Sequence, residues 1–124
     1  MRVGITTVLV TVSMVALITA CGGAAPPNER LASAEGALQA AQEAGARGIP
    51  QAALYLKLAE RQLAKAKALM KDGSNERARL LLIRAEADAD LARFLAREQK
   101  TVAESQAAIK EAEQLKAELN RLKR

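Results

Sequence analysis

Apolar residues recur along this chain with helical spacing in three consecutive stretches. Leu31, Ala34, Leu38, Ala41 and Gly45 alternate at +3 and +4, which places them on one face of a helix. Asn28 suits an N-cap, and Glu29 falls in the first turn, where the helix dipole favours an acid. A first helix is therefore expected over residues 29–46, with Gly48 as its C-terminal stop. Ala52, Leu56, Ala59, Leu63, Ala66 and Met70 continue the rhythm. Pro50 is suited to a first helical position and Gly73 to a helix end, so a second helix is expected over 50–71. From Asn75, with Ser74 as its cap, neither glycine nor proline interrupts the chain through Arg124. Ala78, Leu82, Ala85, Ala89, Ala92 and Ala96 make a narrow stripe there, widened by Leu81, Leu91 and Leu95. Such stripes let two helix backbones approach closely.

The third helix outruns its neighbours. At about 1.5 Å per residue, a helix over 76–122 is about 70 Å long, roughly twice the second. Its distal part carries a separate seam: Val102, Ile109, Ala112, Leu115, Leu119 and Leu122. That segment projects alone, bends back, or pairs with another chain in the manner of a coiled coil. An isolated helix of this length is marginal in water even when rich in alanine. The expected architecture is all-α: an antiparallel helical hairpin, or three-helix arrangement, over 29–100, with a C-terminal helix extension over 101–124.

The first 20 residues follow a different rule. Arg2 is the sole charge before Glu29, and Val3–Ala20 is an apolar to weakly polar run. This is the charged n-region and apolar h-region of a secretory signal. The run closes on Ile18-Thr19-Ala20-Cys21, which resembles the lipobox of bacterial lipoproteins. The resemblance implies cleavage between Ala20 and Cys21, a diacylglyceryl thioether on the Cys21 sulfur, and acylation of the new amino terminus. Residues 21–28, Cys-Gly-Gly-Ala-Ala-Pro-Pro-Asn, read as a lipidated tether. Gly22 follows the cysteine in place of aspartate. In the proteobacterial sorting rule that the resemblance brings with it, this favours the outer membrane, facing the periplasm, over the inner membrane.

Composition narrows the chemistry. Half of the 124 residues are hydrophobic but only 2% are aromatic, so the core must be thin and built from small side chains. That argues against a sandwich or barrel, which draws on β-branched and aromatic residues. There is no histidine and one cysteine. Ser-His-Asp and Cys-His catalysis and a zinc site of His and Cys are excluded. No nucleophile–base pair and no glycine-rich phosphate loop is present, so neither an enzyme nor a cofactor is expected. Tyr55 and Phe94 are the two aromatic residues, and they are expected to fill the widest gap between helices.

Charge offers one surface. The formal net charge is +5. Around Gly73, eight cations (Lys57, Arg61, Lys65, Lys67, Lys71, Arg77, Arg79 and Arg84) face three acids (Glu60, Asp72 and Glu76). Such a face is either a solvated surface or a patch for phospholipid headgroups, lipopolysaccharide or a wall polymer. Nucleic acid is a poor partner, since no aromatic residues interleave for stacking. Glu86 and Asp90 share a face four residues apart but offer too few oxygens for magnesium or calcium. Ordinary surface pairs, Asp90 with Arg93 and Arg84 with Asp88, are the expected arrangement.

Gly73, Ala78, Leu82 and Ala85 resemble the turn and second helix of a tetratricopeptide hairpin, though one hairpin falls short of the three repeats a solenoid needs. A longer resemblance joins Ala44-Gly45, Pro50, Leu56, Ala59, Leu63, Ala66, Gly73, Ala78, Leu82, Ala85 and Ala87-Asp88-Ala89-Asp90-Leu91-Ala92. Over about residues 31–100 the chain is similar to the bacterial domain-of-unknown-function family 4398 (DUF4398). The resemblance implies an alanine-rich helical hairpin, often behind a lipoprotein signal. Some members carry an OmpA-type peptidoglycan-binding domain downstream; residues up to Arg124 contain none, and peptidoglycan binding is not carried over. The expectation is a membrane-anchored envelope lipoprotein without catalysis. It would associate with itself through Val102, Ile109, Leu115, Leu119 and Leu122 or with another envelope protein. The alternative is an adaptor that binds an anionic polymer or a larger membrane complex through its basic hairpin.

Overall fold

A computed structural model describes residues 24–124. The signal segment 1–20, its cleavage site at Ala20 and the lipidation position Cys21 lie outside the described residues. The fold is all-α: helix α1 spans Asn28–Glu43, a short 3-10 turn Ala46–Gly48, α2 Pro50–Lys71 and α3 Asn75–Leu122. α2 and α3 form an antiparallel hairpin, and α1 packs mainly on α3, running parallel to it.

The turns follow from two glycines. Gly73 sits at φ 72. Its N–H reaches the Met70 carbonyl at 3.1 Å and the Ser74 N–H reaches that of Leu69 at 2.8 Å. This pair of bonds is a Schellman ending, and its left-handed position suits a residue without Cβ. Gly45, at φ 85, ends α1 with its N–H on the Gln42 carbonyl at 3.0 Å. The first helix therefore stops three residues before the expected Ala46, and Gly45, not Gly48, is the stop; Gly45 leaves the helix face on which its spacing had placed it. Pro50 begins α2 as expected. Asn28 is not the N-cap: its N–H is drawn back to the Pro26 carbonyl at 2.9 Å, and the helix starts one residue earlier. Ser74 occupies the cap position of α3 without a side-chain cap bond, its N–H being committed to the Schellman ending.

The core is almost entirely alanine. Among the described residues, every buried core residue except Leu56 and Leu82 is an alanine. Near the Gly73 turn, Ala34, Ala66, Ala78, Leu82 and Ala85 pack with Leu31, Leu63, Leu69, Met70 and Leu81. At the other end, Ala41, Ala46, Ala52, Leu56, Ala92 and Ala96 pack with Leu38, Ile49, Tyr55 and Leu95. With so little side-chain volume between them, the backbones come close, and added bulk has nowhere to go.

Two expectations about this core are corrected. Leu91 does not widen the stripe, since it is 38% exposed, and Phe94 does not fill a gap, since it is 66% exposed. Phe94 lies two residues after buried Ala92 and two before buried Ala96, so it points about 200° away from both. Tyr55 alone of the aromatics packs against the core.

Burial stops at Ala96. From Arg97 to Arg124 every residue of the chain is exposed while the helix continues to Leu122. No helix among the described residues is long and apolar enough to cross a membrane.

Candidate functional site

Two surfaces remain once the core is accounted for: the basic face of the hairpin and the outer face of α3. The eight cations do not form one patch. Lys67 reaches Glu35 of α1 at 2.6 Å, and Arg79 reaches Glu76 at 2.6 Å. The Arg79–Glu76 contact is bidentate. Its hydrogen bonds hold the Glu76 carboxyl below the usual range and push the Arg79 guanidinium up. Lys57 and Arg61 lie up the α2 helix, and Lys71 lies beside the turn. Among the described residues, Lys57, Arg61, Lys65, Lys71, Arg77 and Arg84 form no ion pair.

Lys65, Arg77 and Arg84 do converge. With Leu69, Leu80 and Leu81 they line an open groove of about 210 Å³ between α2 and α3 near the turn. The groove lining holds no carboxylate. The expected Arg84–Asp88 pair does not form, because Asp88 instead accepts a hydrogen bond from Gln62 Nε2 of α2 at 2.7 Å. Asp90 pairs with Arg93 at 2.8 Å as expected, and Glu86 faces Arg30 of α1 at 3.6 Å. The three acids are thus engaged separately, and no group of three metal-ligating side chains occurs among the described residues.

The chain enters the helical body at the same end. Asn75 Nδ2, in the first residue of α3, donates to the Ala24 carbonyl at 2.6 Å. The start of the described chain is thereby held beside the Gly73 turn, two residues from Arg77.

The second surface is apolar. Val102, Ile109, Leu115, Leu119 and Leu122 are all exposed, with Leu122 at 79%. Leu115, Leu119 and Leu122 flank Glu118 in one shallow apolar concavity, and Phe94, Thr101 and Val102 line another with Arg97 and Glu98. The outer face begins earlier than residue 102. Leu91, Phe94, Glu98, Thr101, Ser105, Ala108, Ala112, Leu115, Leu119 and Leu122 run without a break at +3 and +4. That spacing is a heptad seam with Val102 and Ile109 along one edge. Leu91 and Phe94 were the missed members. The signal was in the spacing, but each sits within two residues of a core alanine, and the expectations were that Leu91 widens the inner stripe and Phe94 fills a gap between helices.

These features define an all-α hairpin protein whose third helix runs on beyond the helices packed against it. Residues 29–119 match the family described as Domain of unknown function (DUF4398), and the chain belongs to that family. The match takes in most of the projecting part of α3, beyond the residues that carried the resemblance in sequence. No curated protein and no solved structure matches the chain.

Proposed function

We propose that this protein is a lipid-anchored lipoprotein of the bacterial cell envelope with a structural role and no catalytic one. Cys21 carries the lipid, the anchor lies in the outer membrane on its periplasmic face, and the helical body faces the periplasm. The observation that carries the interaction role is the free end of α3. Large apolar side chains repeat along a helix with nothing among the described residues to cover them, and exposed apolar rows mark partner surfaces.

The partner that fits is a second copy, aligned in parallel. With Leu119 at position a and Leu115 and Leu122 at position d, Glu111 and Glu118 take g positions and Lys116 and Lys123 e positions. In a parallel pair each g residue faces the e residue five places on in the other helix, which sets Glu111 against Lys116 and Glu118 against Lys123. Cysteine crosslinking in intact envelopes tests this. Leu119→Cys and Leu115→Cys should each yield a disulfide-linked dimer of the chain on oxidation, while Ala117→Cys, on the opposite face, should not. No dimer from either seam position would overturn the reading.

A second reading has its own support. Lys65, Arg77 and Arg84 share a groove free of carboxylates, which suits an adaptor that holds an anionic envelope component. Binding that weakens as salt rises, and that disappears when these three cations are neutralised, is its signature.

A further inference from the structure

We infer that the groove of Lys65, Arg77 and Arg84 binds the phosphate headgroups of the very membrane that anchors the chain. The inference deepens the adaptor reading and rests on the lipid anchor proposed at Cys21.

The argument begins with the tether. Two residues, Gly22 and Gly23, separate Cys21 from Ala24, and three residue steps reach at most about 10 Å. Ala24 is bonded to Asn75 at 2.6 Å, so the anchor and the basic end of the hairpin stay close. Anionic headgroups are then the first polymeric or interfacial phosphate the groove meets, and at a high effective concentration. A wall polymer would have to reach the same end of the molecule against that competition.

The groove chemistry agrees. Three cations surround a floor of Leu69, Leu80 and Leu81, and Leu80 is half-exposed. Cations over an apolar strip match the headgroup–acyl boundary, where phosphate lies above hydrocarbon. Two of the nearby acids are engaged elsewhere. Glu76 is held by Arg79, and Asp88, one turn above Arg84, is held by Gln62. Lys57 and Arg61 do not line the groove.

Each basic residue near an anionic surface contributes an affinity factor of about five, so losing all three should shift the docked-to-undocked ratio by about a hundredfold. The test uses the full acylated chain, reconstituted in vesicles of phosphatidylcholine with phosphatidylglycerol or of phosphatidylcholine alone. Spin labels are placed on Leu80→Cys or Asn120→Cys. Vesicle flotation and the mass of the Cys21 peptide report separately on the anchor. In the anionic vesicles the label at position 80 should be shielded from a water-soluble nickel quencher and open to oxygen, while the label at 120 stays in water. Phosphatidylcholine alone, or the triple variant K65Q/R77Q/R84Q, should return position 80 to water with flotation intact; K110Q/R121Q/R124Q should leave it shielded. Circular dichroism confirms that both triple variants keep their helices. Equal quenching at position 80 in both vesicle types, with the anchor intact, would overturn the inference. So would shielding by soluble anionic wall polymer and not by phosphatidylglycerol.

Discussion

The Lys67 ammonium stands 2.6 Å from the Glu35 carboxylate and ties α2 to α1 across the outside of the bundle. Both side chains are nearly half exposed, so water screens the pair and its contribution is small. One residue before Glu35, Ala34 is buried at 1%. The placement of α1 is therefore set by alanine packing, with the ion pair as a minor addition. Glu35→Gln should lower stability by less than about 1 kcal/mol in chemical denaturation. A loss of several times that size would show that charge, not packing, holds α1 in place.

The alanine seam predicts a larger effect of the opposite kind. Ala85 and Ala89 are buried at 1% and 0% in a core that has almost no large side chains to shift aside. Ala85→Leu or Ala89→Leu should cost about 1–3 kcal/mol by overpacking. Ala117→Leu, on the exposed end of the same helix, should leave the melting temperature of the hairpin unchanged.

Helix positions and the inward stripe were legible because alanine and leucine repeat at a fixed period and glycines mark the turns. Pro50–Lys71 and the start of α3 at Asn75 emerged as expected, and so did all six inward residues from Ala78 to Ala96. What escaped was whatever depended on a second face. A helix with apolar residues on two sides has two overlapping periods, and Leu91 and Phe94 belong to the outer one. The groove was illegible for a related reason. Lys65 and Arg84 are far apart in sequence, and only the antiparallel register of α2 on α3 brings them together while leaving Lys57 and Arg61 outside. The lost Arg84–Asp88 pair has the same origin, since Gln62 reaches Asp88 from the other helix.

Arg79 and Glu76 offer a pH test. Hydrogen bonding to Arg79 holds the Glu76 carboxyl below its usual value, so the folded state favours the carboxylate. Stability from the pair is present above the unfolded pKa of glutamate and is lost as pH falls through the lowered folded value. In an NMR titration Arg79→Gln should move the Glu76 midpoint upward. A midpoint unchanged by Arg79→Gln would show that the bidentate contact does not persist in solution.

Lipidation is tested by mass. The apolar run closing on Ile18-Thr19-Ala20-Cys21 predicts an amino-terminal peptide that begins at Cys21 and bears acyl chains in the membrane fraction. Cys21→Ala should leave the precursor unprocessed at the inner membrane. An unmodified Cys21 in the soluble fraction would remove the anchor from the proposal.

The free end of α3 should be dispensable for the hairpin and necessary for association. Among the described residues all buried ones lie at or before Ala96, so truncation after Gln99 removes none of that core. The truncated chain should melt as a hairpin and sediment as a monomer, whereas residues 22–124 should show concentration-dependent association. The charge pattern sharpens this into a register. Lys116→Glu with Lys123→Glu sets acid against acid at both Glu111 and Glu118 in a parallel pair, and should weaken association by about tenfold, at a few tenths of a kcal/mol for each of the four contacts. Adding Glu111→Lys and Glu118→Lys restores opposite charges and should restore the dimer. In an antiparallel pair, e faces e and g faces g, so the four-residue exchange would rebuild none of these contacts. Failure of the exchange to rescue would turn one helix around, and a monomeric 22–124 at high micromolar concentration would leave the seam to another protein.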